Sequence, residues 1–325
     1  MRSSHDPIPV TIVTGYLGAG KTTLLNRILT GGHGGRLAVI VNEYGEVPID
    51  HDLVLNIEEG IYTLASGCIC CTVRDDLVEV LDDLLARREA FDHILVETTG
   101  LAEPGGIIMT FLTHPDAGEA FVVDGIVAVA DAVHLPAQLG RSPEVAHQLA
   151  YADVILLNKC DLVNGTAAAV LEEMIRGMNP LADIYRTSQS DADTAVLLDI
   201  GGFDPGRIRI VRNGAAETEH RHEAHIDAIS VTTEGDLEPE RFEQWIAELI
   251  AARHEDLYRM KGIIGMAGQP RRYIFHGVHG LSSWQYGERW GDEPRVSRFV
   301  VIGRGLNREE VVRGFRRCAA PGVPG

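Results

Sequence analysis

Along the first half of the chain, apolar positions fall in short β-branched runs, and between those runs they recur every three to four residues. In "PVTIVTGYLGAGKTTLLNRIL" one such run passes through a Gly-rich turn into a segment whose Leu24, Leu25, Ile28 and Leu29 share one helical face. The alternation continues. "RLAVIVN" predicts a strand, "TVRDDLVEVLDDLLARREA" an amphipathic helix, and "FDHILVETTG", "GIVAVADA" and "ADVILLNKCDL" further strands. Near-continuous apolar strands separated by helices describe a mostly parallel sheet covered on both faces, so residues 1–186 are expected to form a doubly wound α/β domain.

The pattern then weakens. Residues 187–223, with "GGFDPG" and most of "RNGAAETEHRHEAH", supply breakers and polar groups without a clear period and read as a linker. Beyond it, "IDAISVTTE", "YIFHGVHG" and "SRFVVIG" predict strands, and "EPERFEQWIAELIAARHEDL" and "NREEVVRGFRRCAA" predict helices. Residues 224–325 are therefore expected to form a smaller α+β domain, packed by Trp245, Trp284 and Trp290, with His276 and His279 in structural roles.

Composition changes the picture in two ways. A length of 325 residues with 45% hydrophobic positions suits two domains on the usual scale of about 100–200 residues each. No segment offers the ~18 uninterrupted apolar residues of a spanning helix, and no N-terminal run reads as a leader, so a cytoplasmic protein without a membrane partner is expected. The net charge of −18 argues against nucleic acid as a partner. That charge is uneven: the first 223 residues hold 15 Lys/Arg against 33 Asp/Glu, whereas the remainder holds 14 of each. An acidic half suits a handler of cations, and it equally suits a solvated surface.

Three motifs carry chemistry. Gly15-Tyr16-Leu17-Gly18-Ala19-Gly20-Lys21-Thr22 matches G-x-x-x-x-G-K-[ST] between a predicted strand and a predicted helix, the context a phosphate loop requires. Its glycines let backbone N–H groups curl around phosphates, Lys21 places a charge at the β/γ oxygens, and Thr22 offers its hydroxyl to Mg²⁺. Downstream, Asn158, Lys159 and Asp161 form N-K-x-D at a strand end, where a carboxylate accepts both the N1–H and the 2-amino group of guanine. Adenine lacks that donor pair, so GTP is the expected nucleotide. Between them, "ILVETTGLAEP" delivers Glu97, an acidic residue able to support the Mg²⁺ shell, and Gly100, whose backbone can approach a γ-phosphate. Lys21 and Glu97 are the catalytic candidates. Ras-like GTPases place a water-orienting Gln after that glycine; here Leu101 follows, so intrinsic hydrolysis is expected to be slow.

The fourth feature is "GCICC", which gathers Cys68, Cys70 and Cys71 although the chain has only five cysteines. An odd, crowded set argues against a secreted disulfide framework. Three thiolates supply soft ligands for Zn²⁺ or a similar ion, with a fourth donor or water completing a tetrahedron. Incidental buried thiols and a redox site are the alternatives, although C-x-C-C is not the C-x-x-C redox spacing.

Taken in order, "TGYLGAGKTTLLN", "VNEYGEVPIDHDLV", "GCICC", "ETTGLAEP" and "NKCD" resemble the CobW-like family of P-loop GTPases. "RMKGII", "YIFHGVHG" and "SRFVVIGRGL" resemble that family's C-terminal domain, so the likeness covers nearly the whole chain. The resemblance implies a GTP-dependent metallochaperone for zinc or cobalt, serving a client metalloprotein or metal-cofactor pathway. It carries the phosphate loop to Gly15 through Thr23 and metal ligation to Cys68, Cys70 and Cys71. Glu43 and Glu46 occupy the segment resembling the first switch, with Glu46 the candidate auxiliary ligand; some relatives carry a further Glu where this chain has Val41. His220, His222 and His225 stand where many relatives have a dense histidine tract, as weak metal ligands or as a solvated linker. A GTP-regulated zinc sensor, a zinc reservoir or an interaction protein with a structural metal is the alternative function. A nucleotide-dependent homodimer is the other partner considered.

Overall fold

The computed structural model describes residues 6–31, 35–42, 61–64, 72–202 and 226–320. The chain divides into two compact units. In the first part of the chain the elements are β1 (Ile8–Gly15), α1 (Lys21–Thr30), β2 (Leu37–Asn42), β3 (Ile61–Leu64), α2 (Thr72–Ala86), β4 (His93–Glu97), α3 (Pro104–Thr113) and α4 (Ala117–Ala120). They continue with β5 (Phe121–Asp131), α5 (Leu135–Leu139), α6 (Pro143–Tyr151), β6 (Val154–Asn158), α7 (Gly165–Met178) and β7 (Asp183–Arg186). These strands form a seven-stranded sheet in the order β3-β2-β4-β1-β5-β6-β7, every pairing parallel. The expected doubly wound α/β fold is present, and β1, β4 and β6 are buried along their whole length, as a sheet covered on both faces requires.

Topology places the site. From β1 the chain passes to β2 and outward to β3, returns to β4 beside β1, and then crosses to the other side at β5, so the order reverses at β1. Loops leaving the carboxyl ends of strands at such a reversal form a crevice for ligands. Register adds a level: Thr63, Val41, Glu97 and Val13 are successive partners on one rung across β3, β2, β4 and β1. Thr63 and Glu97 are therefore two strand spacings apart, about 10 Å.

One boundary needs correction. Residues 187–202, assigned above to the linker, fold into the first unit. Leu197 is 1% exposed and joins the core with Val13, Leu24, Val127 and Leu156. The buried Asp124 carboxylate accepts hydrogen bonds from Ile200 N–H at 2.7 Å and Gly201 N–H at 2.9 Å. Periodicity failed here because the segment is a series of turns, with Gln189, Ser190, Asp199 and Gly201 all at positive φ. The rest of that linker, with His220 and His222, lies outside the described residues, as does His225 just beyond it.

The second unit is built on β8 (Ile226–Glu234), α8 (Pro239–Arg253), β9 (Leu257–Gly265), β10 (Arg271–Val278), β11 (Leu281–Arg289), β12 (Val296–Arg304) and α9 (Arg308–Arg317). Its antiparallel sheet has the order β11-β10-β9-β12-β8. Phe242 of α8 sits among the rings of Tyr273, Phe275, Phe299 and Phe315, with centroids 5.8–6.5 Å away. Trp245 packs against this core and Trp290 is buried, but Trp284 is 50% exposed, stacked on Tyr273 along the edge strand β11. An edge strand has a neighbour on one side only, which leaves half of that ring in water. His276 is buried within β10, and His279 (φ 45°) with Gly280 (φ 76°) forms the two-residue turn into β11.

Candidate functional site

The phosphate-loop sequence becomes a loop because three of its glycines adopt backbone that other residues resist. Gly15, Gly18 and Gly20 have φ of 144°, 73° and 114°. At Gly20 a Cβ would also lie 2.5 Å from Asn158 Nδ2 and 2.8 Å from Ser190 Oγ. The loop then enters α1, whose Leu24, Leu25, Ile28 and Leu29 are the buried face that periodicity predicted. Ala19 is buried, and Thr23 points to solvent. Lys21 is buried, and its ammonium donates to Gly15 O at 2.8 Å and Tyr16 O at 3.4 Å. Thr22 Oγ1 donates to Glu97 Oε1 at 3.3 Å. A hydroxyl and a carboxylate meeting at the mouth of a phosphate loop are hard oxygen donors of the kind Mg²⁺ takes, so Thr22 and Glu97 fit that ion.

The N-K-x-D segment divides its labour. Asn158 is buried and spends its whole amide inside the protein. Nδ2 donates to Ala19 O at 2.9 Å and Ser190 Oγ at 3.0 Å, while Oδ1 accepts from Ser190 N–H at 2.7 Å and Thr187 Oγ1 at 3.2 Å. It therefore staples the phosphate loop to the 187–190 turn. Lys159, at φ 62°, donates its ammonium to Gly18 O at 2.8 Å and to Asp131 Oδ2 at 2.7 Å. Asp161 is exposed and accepts from Ser188 Oγ at 2.6 Å.

Two residues absent from the sequence reading hold this end together. Asp131 closes β5 and is only 2% exposed; besides Lys159 it accepts from Val133 N–H at 2.9 Å and pairs with His134 Nδ1 at 2.9 Å. Burial pushes its carboxyl up, but the Lys159, His134 and Val133 hydrogen bonds outweigh that and hold it below the ordinary carboxylate range. Ser190, in the supposed linker, also donates Oγ to Gly20 O at 2.9 Å. The available signal was the "TSQS" polar cluster straight after a short strand, a turn composition.

The turn after β4 lies against the phosphate loop. A Cβ at Gly100 would fall 2.6 Å from Leu17 Cδ2 and 2.7 Å from Leu17 N, so only glycine fits. Leu101 is 38% exposed. Phosphate loop, Glu97, Gly100, Asn158 and Lys159 are thus brought together at the carboxyl ends of the sheet's inner strands, across as many as 141 residues of sequence. Cys68, Cys70, Cys71, Glu43 and Glu46 lie outside the described residues. No cluster of potential metal-binding side chains occurs among the described residues, and no helix there is long and apolar enough to cross a membrane.

A Gly-rich loop between β1 and α1, with an N-K-x-D strand end stapled to it, defines the class as P-loop GTPase. The chain belongs to the CobW family: residues 9–186 match the CobW/HypB/UreG nucleotide-binding domain, and residues 226–319 match the cobalamin synthesis protein cobW C-terminal domain. It is 35% identical over 320 residues to the zinc chaperone YjiA of Escherichia coli, covering 95% of this chain and 98% of that protein. It is 33% identical over 358 residues to the zinc chaperone CobW of Pseudomonas aeruginosa, covering 96% and 92%. The crystal structure of Zn(II)-bound YjiA GTPase from E. coli superposes with a TM-score of 0.76 at 31% identity, covering 97% of this chain and 100% of that one.

Proposed function

We propose that this GTPase is a zinc metallochaperone: it holds Zn²⁺, with Co²⁺ as second choice, at Cys68, Cys70 and Cys71 and yields it to a client protein under nucleotide control. The observation that carries the reading is the rung shared by Thr63 and Glu97. Cys68 follows β3 by four residues and Cys71 directly precedes α2, so the chain between these elements leaves a strand whose Thr63 backbone lies two strand spacings, about 10 Å, from the Glu97 backbone. The zinc chaperones among the relatives support the choice of metal.

In this reading the glycine loop cradles the phosphates, Lys21 turns its ammonium to the β/γ oxygens, and Asp161 accepts from guanine. Thr22 and Glu97 hold Mg²⁺, which neutralises charge on those oxygens when bound. GTP orders the 42–50 segment, with Glu46 as auxiliary ligand, and the 97–104 turn. Cargo zinc then sits in an incomplete thiolate cage from which a client can take it. Inverting a 1:99 population in this way takes about 5.5 kcal/mol of differential nucleotide affinity.

The test is zinc affinity by chelator competition, with GTP analogue and with GDP, alongside transfer to an apo-client. Affinity and transfer are expected to differ between the two nucleotides and to vanish in a Cys68→Ser/Cys70→Ser/Cys71→Ser variant. Identical values in both states overturn nucleotide control and leave a zinc reservoir. With Leu101 in place of a water-orienting amide, unassisted hydrolysis is expected at about 10⁻⁴–10⁻³ s⁻¹. Turnover of several per second would refute that assignment.

A further inference from the structure

The turn that follows β4 is held from behind by one helix. Gln148 of α6 is 1% exposed, and its amide donates two hydrogen bonds, to Gly100 O and to Ala102 O, both at 3.1 Å. The neighbouring His147 pairs through Nδ1 with the carboxylate of Glu103, the residue that opens α3. Both ends of the 100–103 stretch are therefore tied to consecutive residues of α6. The start of the same helix reaches the phosphate loop. Ser142 stands at the N-cap position but does not cap; its hydroxyl pairs with Tyr16 OH at 2.9 Å.

Helix α6 thus touches the phosphate loop at one end and the Gly100 turn at the other, while Gly100 itself packs on Leu17. Every residue from Val145 to Tyr151 is buried, so the helix is wedged in place and cannot follow the turn if the turn moves. Two carbonyls of a tight turn point inward here, and losing their donors would leave both buried without partners. The turn would then rotate to find others.

We propose that Gln148 is a positioning residue for the triphosphate state: its amide sets the Gly100–Ala102 turn against Leu17, so that the backbone of Gly100 is in place when a γ-phosphate is present. The inference rests on the guanine-nucleotide reading above. It assigns Gln148 no contact with substrate. Its effect passes through Gly100, and it therefore concerns the γ-phosphate and not the base or the β-phosphate.

That selectivity makes it testable in the full-length protein with fluorescent GDP and a non-hydrolysable GTP analogue, each with Mg²⁺. In Gln148→Leu, GDP affinity is expected to stay within about twofold, while analogue affinity falls on the order of tenfold for two lost hydrogen bonds. Gln148→Asn, which keeps an amide on a shorter stem, should fall between. GDP binding serves as the internal control for folding. If GDP and analogue affinities drop together in both variants, Gln148 is a general structural residue and the proposal is wrong. It is equally wrong if neither changes, or if GDP alone weakens. Should the wild-type protein bind neither nucleotide, the guanine reading itself fails and this inference goes with it.

Discussion

Asp131 illustrates how a single carboxylate can matter without touching a ligand. It is buried, it anchors the Lys159 ammonium beside Gly18, and its hydrogen bonds hold it ionised below the usual carboxyl range. A carboxylate whose folded pKa is depressed adds stability that is complete above its unfolded value, about 4, and is lost as pH falls through the folded value. Asp131→Asn is therefore expected to cost about 1.5–3 kcal/mol at neutral pH, the range for hydrogen bonds to charged groups. The difference from wild type should shrink below pH 4. Urea denaturation of both proteins from pH 7 to pH 3 measures it; a constant difference across that range would contradict the assignment. Nothing in the sequence marks Asp131, since "VADAVH" reads as an ordinary strand end. Glycines are the opposite case. The positive φ at Gly15, Gly18 and Gly20 was legible because the residue type itself permits that backbone and the motif requires it.

Among elements, the strongly periodic ones were read well and the others were not. The strand expected from "IDAISVTTE" spans Ile226–Glu234, α8 and α9 fall within their predicted segments, and α1 runs one residue past its own, to Thr30. Four strands went unread, among them β11, an edge strand with no buried residue to mark a core face. β3 and β7 have four residues each, too short for alternation to register, and β9 carries Arg259 and Lys261 within a buried central strand. α8 shows what a well-read element contributes. Its apolar stripe delivers Phe242 into contact with the rings of β10, β12 and α9. Phe242→Ala is expected to destabilise the second unit by about 3–5 kcal/mol through lost burial and the cavity left behind. Equilibrium denaturation followed by tryptophan fluorescence would detect this, and a loss under 1 kcal/mol would mean that the core closes over the gap.

For the whole molecule, the acidic excess and the cysteine cluster lie in the same half of the chain. The remaining two cysteines are poor competitors for metal or reagent. Burial pushes the Cys318 thiol up to about 11 and raises that of Cys160 as well, so both stay protonated near neutrality. Brief maleimide labelling of the native protein at pH 7.5 is thus expected to modify Cys68, Cys70 and Cys71, and stoichiometric Zn²⁺ should protect them. Mass spectrometry that finds Cys318 labelled first, or no protection by zinc, would refute this picture. By itself the sequence determined the fold class, the glycine loop and the family, because each is written in short stretches where residue type dictates local backbone or periodicity. Tertiary structure decided that Asn158 staples the phosphate loop to the 187–190 turn, that residues 187–202 belong to the first unit, that Asp131 anchors Lys159, and that Gln148 holds the Gly100–Ala102 turn. Those roles depend on side chains meeting across 28 to 139 residues, and strand order and register, not neighbouring residues, bring them together.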